Sequence, residues 1–336
     1  MGKIVATAPA RVDLAGGTLD IWPLNLFFKD TLTLNMAISI SARAEVTPRR
    51  DGKIVLVSRD GGKRVEFKNL PQIKHNHPLG LLSRLVEKFI RKGGVEVVTM
   101  SEAPAGAGLA GSSALNIALC GALSRAAGDK TSKAKLIDIA KDVEAALLHT
   151  PTGLQDYAAA VFGGVNAFRF PAGGMQRASL DIAGKELERR LILFYSGQSR
   201  NSGINNWEMF KRVIDKDRRA MNLFAKIAGC AVQASEALAD GDFKRFEKAV
   251  ASEWKARRSL FPSISTDVID GAIQAGVKAG ARAARICGAG GGGCFFVLAE
   301  PGSRRAVIEA VEKLGPRHLP FTLSTKGLRV YNARKD

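Results

Sequence analysis

Residues 95–127 hold the feature that most narrows the fold. A strand-like run leads into PAGAGLAGSSAL, beginning at Pro104, and an apolar helical run follows. Gly106, Gly108 and Gly111 satisfy a GxGxxG pattern, and Ser112 and Ser113 come directly after. A strand, a glycine turn and a helix make an anion site for a physical reason. Glycine opens backbone conformations closed to other residues and lets a ligand approach the main chain. The free N–H groups at the helix start then face the anion, and the helix dipole favours negative charge there. Either serine can cap the helix or turn its hydroxyl to a phosphate oxygen or Mg²⁺.

The surrounding residues exclude the commonest uses of such a loop. A dinucleotide fold wants an acid at the end of the next strand, about 20 residues on. Here that distance reaches Asp129-Lys130-Thr131-Ser132, a polar turn into a helix. A Walker loop needs Gly-Lys-Ser/Thr, and a protein kinase needs HRD and DFG; none occurs. A second run, CGAGGGGC from Cys287 to Cys294, holds five glycines in six residues between two strand-like runs. That exceeds the need of a hairpin and points to close backbone approach, to a ligand or to the first loop.

At 336 residues the chain exceeds the size at which one core keeps growing, so two domains are expected, with a boundary near 185. Residues 3–12, 31–46, 53–57, 64–67 and 95–100 read as strands, and 79–91, 113–127 and 133–149 as helices. A strand at 161–170 and a polar connector at 171–190 follow. The second half reads as a strand at 191–195, helices at 204–226, 227–240, 242–257 and 267–279, strands at 283–287 and 294–299, a helix at 303–314 and a last strand at 318–330. The pattern is α+β.

The net charge of +18 attracts polyanions, but the basic residues are scattered, aromatics are only 7% and no zinc-finger or RNA-binding signature occurs. This argues against nucleic acid and fits a field that draws in phosphorylated small molecules. Cys120, Cys230, Cys287 and Cys294 form no CxxC pair, and of His75, His77, His149 and His318 only the first two are close, so neither a disulfide framework nor a zinc site is expected. The start lacks the apolar core of a signal peptide and no run is long enough to span a bilayer, so the expectation is a cytoplasmic protein without a membrane partner.

Three motifs in order resemble those of the GHMP kinases (galactokinase, homoserine kinase, mevalonate kinase, phosphomevalonate kinase). They are APARVDLAGGTLD from Ala8, the loop from Pro104, and the glycines from Gly288 to Gly293. A fourth stretch, Gly153-Leu154-Gln155-Asp156-Tyr157 with Phe162-Gly163-Gly164-Val165-Asn166, is similar to the heptose-phosphate kinases and the kinase part of fucose-activating enzymes, as is Ser199-Arg200-Asn201-Ser202. Leu19 stands where that branch commonly has Thr.

The resemblance implies a two-domain GHMP kinase fold. Residues 1–185 would form an ATP-binding domain like ribosomal protein S5 domain 2, and 186–336 a ferredoxin-like domain. It implies ATP and Mg²⁺ as cofactors, a sugar or sugar-phosphate acceptor phosphorylated on a hydroxyl, the anomeric one in the heptose type, and a monomer or homodimer. Asp156 and Arg11 match the catalytic pair. Pro104, Gly106, Ala107, Gly108, Leu109, Ala110, Gly111, Ser112 and Ser113 would hold ATP. Glu144, bordering the apolar stripe of its helix, would hold Mg²⁺ with Ser113. Gly16, Gly17, Thr18, Asp20, Gln155, Arg200, Gly290 and Gly291 would shape the acceptor pocket. Each also has a plainer reading, such as a surface Arg for Arg11 or an i,i+4 partner of Lys141 for Glu144. A mevalonate-pathway kinase or decarboxylase, and a non-catalytic sensor or nucleic-acid binder on the same fold, are the rival functions.

Overall fold

The computed structural model describes residues 2–199 and 202–333, with the side chains of 202–206 left out of account. Two sheets organise the chain. The first is laid down by β1 (Ile4–Ala15), β2 (Leu32–Arg49), β3 (Ile54–Ser58), β4 (Lys63–Phe67), β5 (Gly94–Ser101), β6 (Val165–Arg169) and β7 (Gln176–Ser179). Their order is β1-β2-β5-β3-β4, with β6 pairing β2 and β7. Pairing is antiparallel except between β3 and β5. Helix α1 (Leu24–Phe27) is a single turn in the connection from β1 to β2. Helices α2 (Gly80–Phe89), α3 (Gly111–Ala126), α4 (Lys133–Leu148) and α5 (Gln155–Phe162) cover one face of this sheet.

The second sheet, β11-β8-β10-β9, is antiparallel and comprises β8 (Leu191–Tyr195), β9 (Ala281–Ile286), β10 (Cys294–Ala299) and β11 (Arg317–His318). Both its faces are covered, which explains the unbroken apolar run LILFY. Leu191 and Leu193 pack with β1, β2, α8 (Arg218–Ala239) and α9 (Phe243–Arg258). Ile192 and Phe194 point the other way, into a core with α7 (Ser202–Ile214), α10 (Asp267–Lys278) and α11 (Arg304–Glu312). The alternation is the period of two along a strand.

Several elements differ from the sequence expectation. Residues 155–162 are helical, where a loop and the start of a strand were expected; Gly163, at φ +68°, ends the helix and β6 begins at Val165. The connector carries β7 and α6 (Gly184–Arg190). The break between the two long helices lies at 215–217, because Asp217 caps α8 through Arg219 and Ala220 N–H. The strand expected at 318–330 is two pieces: β11, and β12 (Arg329–Asn332), which returns to pair with β1. Residues 329–332 therefore belong to the first sheet, although they lie beyond 185. No helix among the described residues is long and apolar enough to cross a membrane.

Candidate active site

A cavity of about 720 Å³ opens where β1, the loop after β5, and the starts of α3 and α5 meet. Residues 103–113 form one wall. Gly106 and Gly108 sit at φ +68° and +77°, so the sequence's glycines stand where the backbone needs them. Ala110 takes φ +58° without a glycine's freedom, a strained position at the start of α3. The two glycine loops touch. Cys294 N–H donates to Ala107 O at 2.7 Å, and a Cβ on Gly293 would lie 2.7 Å from the same oxygen and 2.8 Å from Gly106 O. Close approach to the other loop is thus one use of the run CGAGGGGC.

Arg11 and Asp156 meet across the cavity floor. Arg11 Nε donates to Asp156 Oδ1 at 2.8 Å and Nη2 lies 2.6 Å from the same oxygen, while Nη1 donates to Gly108 O at 2.8 Å. Burial works against the Arg11 charge, but Asp156 and Asp13 outweigh it and raise its pKa. Asp156 lies in the first turn of α5, where a helix favours an acid. It keeps 30% of its side chain exposed, so it is both held and reachable.

Asp20 is buried, and its Oδ2 accepts the Gln155 N–H at 2.9 Å. Burial first, then the Asp156 charge, push its pKa up to about 7. A Cβ on Gly153 would sit 1.9 Å from Asp20 Oδ2, which explains the glycine in that turn. Thr18 adopts φ +81°, costly for a β-branched residue, and its hydroxyl points to Met209 Sδ at 3.9 Å.

Glu144 lies buried beside the phosphate loop. It accepts from Ser112 Oγ at 2.9 Å and from Tyr157 Oη at 2.7 Å. Burial raises its pKa, partly offset by those hydroxyls. Lys141 pairs with Asp142, and among the described residues no Lys, Arg or His hydrogen-bonds or ion-pairs with Glu144. Ser113 is buried and lines the same cavity, but Ser112 is the serine bonded to Glu144.

Other expected pocket residues lie elsewhere. Gly16 packs on Leu32 O, and Gly17 O accepts from Arg257 Nη2 at 2.7 Å. Gly291 N–H bonds to Ile264 O at 2.9 Å, and a Gly290 Cβ would meet that oxygen at 2.5 Å. From that loop, Gly288 and Ala289 line the cavity. Arg200 lies outside the described residues.

Beneath the pocket runs a buried ionic network that sequence reasoning missed. Arg285 Nη2 pairs with Asp13 Oδ2 at 3.0 Å, and its Nε with Glu253 Oε2 at 2.8 Å. Glu253 Oε1 takes Arg257 Nη2 at 2.8 Å and the Gly16 N–H at 3.2 Å. Burial alone would raise the Glu253 pKa, but Arg257 and Arg285 hold it down to about 2. A signal existed: Arg285 interrupts the apolar stretch from Ala283 to Cys287, and an arginine inside a buried strand needs an acid to pair with.

Family models match two parts of the chain, the GHMP kinases N terminal domain at residues 76–164 and the GHMP kinases C terminal domain at 234–317. The chain belongs to the GHMP kinase family. It is therefore a phosphotransferase, and the cavity is lined from both matched parts, by residues between 103 and 157 and by Gly288 and Ala289. This GHMP kinase is 27% identical to a D-glycero-alpha-D-manno-heptose 7-phosphate kinase of Campylobacter jejuni, over 98% of this chain and 99% of that protein. It is 25% identical to a mevalonate kinase of Thermococcus sibiricus, over 98% of each. Its fold matches the crystal structure of a D-glycero-D-manno-heptose 1-phosphate kinase from Bacteroides thetaiotaomicron with a TM-score of 0.81 at 22% identity, covering 99% of this chain and 100% of that one.

Proposed function

We propose that this GHMP kinase transfers the γ-phosphoryl group of ATP to a hydroxyl of a sugar or sugar phosphate of the heptose-phosphate type. The observation that carries the reading is the Arg11–Asp156 pair beside Asp20, on the cavity side facing the phosphate loop. The full-length likeness to a heptose 7-phosphate kinase supports the acceptor class.

Phosphoryl transfer depends mostly on positioning and charge stabilisation. The N–H groups opening α3 and the backbone of residues 104–113 receive the triphosphate. Asp156 takes the proton of the attacking hydroxyl. The oxygen bonds to the γ-phosphorus while the bond to the β–γ bridging oxygen breaks, and ADP leaves. Arg11 fixes the orientation of Asp156 and faces the charge that develops.

Glu144 fits a divalent cation: it is a buried carboxylate beside the phosphate loop with hydroxyl partners and, among the described residues, no cationic one. Glu144 with the hydroxyls of Ser112 and Ser113 would hold Mg²⁺, which supplies neutralisation of phosphate charge; a few hard oxygens suffice because phosphate and water complete the shell. The acceptor side is lined by Asp13, Asp20 and Asp156, whose carboxyl oxygens suit the hydroxyl donors of a sugar.

The test is ATP turnover against heptose 7-phosphate, fucose, galactose, mevalonate and phosphomevalonate. Turnover of a sugar or sugar phosphate is expected. Asp156→Asn should lower kcat about 100- to 10,000-fold with the KM for ATP little changed. Turnover restricted to mevalonate or phosphomevalonate contradicts the acceptor reading, and salt-sensitive DNA binding without turnover contradicts the enzyme reading.

A further inference from the structure

We propose that Asp13 is a substrate-binding residue of the acceptor pocket, presenting Oδ1 to a hydroxyl of the acceptor while Arg285 fixes the rest of its carboxylate. The inference rests on the sugar or sugar-phosphate reading above and adds a residue to it. Asp13 is fully buried in β1 and lines the cavity. Its Oδ2 takes Arg285 Nη2 at 3.0 Å, and Arg285 Nη1 also donates to the Asp13 backbone oxygen. Oδ1, by contrast, has no hydrogen-bond partner among the described residues. A buried acceptor left unmade costs the desolvation of that group, so such atoms call for an explanation.

Gln155, on α5, repeats the pattern: its Oε1 is buried without a partner among the described residues, and it lines the same cavity. The two side chains are neighbours. The point where a Cβ on Gly17 would stand is 2.1 Å from Asp13 Oδ2 and 3.1 Å from Gln155 Nε2. Two elements thus bring two neighbouring side chains, each with one unmet acceptor oxygen, to the same cavity, near the Asp20 carboxylate that takes the Gln155 N–H. The ligand chemistry that satisfies both is a pair of hydroxyl donors.

Arg285 is the positioning residue. It is held by Glu253 on its Nε, so it presents a fixed fork to Asp13. Gly17 has a definite part too, since a methyl group there would displace the Asp13 carboxylate without changing any charge.

The test uses the full chain, ATP and the best sugar substrate, together with its monodeoxy analogues. Asp13→Asn turns the NH₂ or the oxygen to Arg285; the favourable choice gives the oxygen to Arg285 and leaves a donor facing the acceptor. It should raise the acceptor KM about 10- to 100-fold and leave the KM for ATP within about twofold. One monodeoxy analogue, penalised with the parent enzyme, should lose its penalty with Asp13→Asn. Gly17→Ala should raise the acceptor KM in the same direction, and it decides the matter if Asp13→Asn fails to fold. An unchanged acceptor KM, or the full deoxy penalty retained at every position, overturns the Asp13 assignment while leaving the sugar reading intact. No turnover of any polyol by the parent enzyme overturns both.

Discussion

At the scale of residues, the pocket combines acids in different environments. Asp156 is reachable and bound to Arg11, whereas Asp20 is buried and its carboxyl is pushed up to about pH 7. The sign of the consequence follows from the unfolded carboxyl, which titrates near 4. Because folding raises the Asp20 value, the native state binds the proton more tightly. The stability contributed is present in full below pH 4 and is lost as pH rises through 7, a difference on the order of 4 kcal/mol. Asp20→Asn keeps an oxygen for the Gln155 N–H. It should therefore be more stable than the parent at pH 8 and no more stable at pH 4. Urea unfolding of both proteins at the two values measures this, and a pH-independent difference would contradict it. Arg11, Asp20 and Asp156 stand in short motifs and Glu144 is placed by its position on the helix before Asp156; the structure brings all four to one cavity. That Ser112 is the serine bonded to Glu144 was not legible in the sequence, since that depends on how the first turn of α3 is rotated about its axis.

Among the elements, the glycine loops act as a pair. Gly293 sits at φ +78° with no room for a side chain against Ala107 O and Gly106 O. Gly293→Ala should push the second loop off the phosphate loop and raise the KM for ATP about tenfold or more, with a smaller effect on the acceptor KM. Steady-state kinetics in both substrates checks this; equal effects on the two would contradict it. Residues 106–108 and 288–293 stand out in the sequence because so many glycines together have few other uses. Helix α5 did not stand out. Its eight residues, QDYAAAVF, give barely two turns of periodicity, and its last two residues favour strands as readily as helices. Tertiary packing against α3, α4 and β1 decides its state. Yet it carries both Gln155 and Asp156.

For the molecule as a whole, the ions beneath the pocket join parts far apart in sequence. Asp13 comes from β1, Glu253 and Arg257 from α9, and Arg285 from β9. Removing the central acid leaves two buried arginines short of a partner. Glu253→Gln should lower stability by about 3–5 kcal/mol, read as a shift of a single denaturant transition. Separate transitions for the two halves would contradict that. Nothing in the spacing of residues 13, 253 and 285 announces their contact, because such pairings arise only when the two sheets are stacked. The α+β class, by contrast, followed from the strand and helix pattern. The path of the chain has one more consequence. The second sheet is reached through residues 180–190 and left through 319–328, and both passages are fastened to the first sheet: Leu180 N–H to Val165 O, and Ser39 N–H to Thr322 O. They are also tied to each other, by the Leu323 N–H on Glu188 Oε2 at 2.7 Å. The second layer thus hangs from the first by a double strap instead of a single cord. Each passage holds its layer to the other independently, and the hydrogen bond from Cys294 N–H to Ala107 O lies on the far side of the same join.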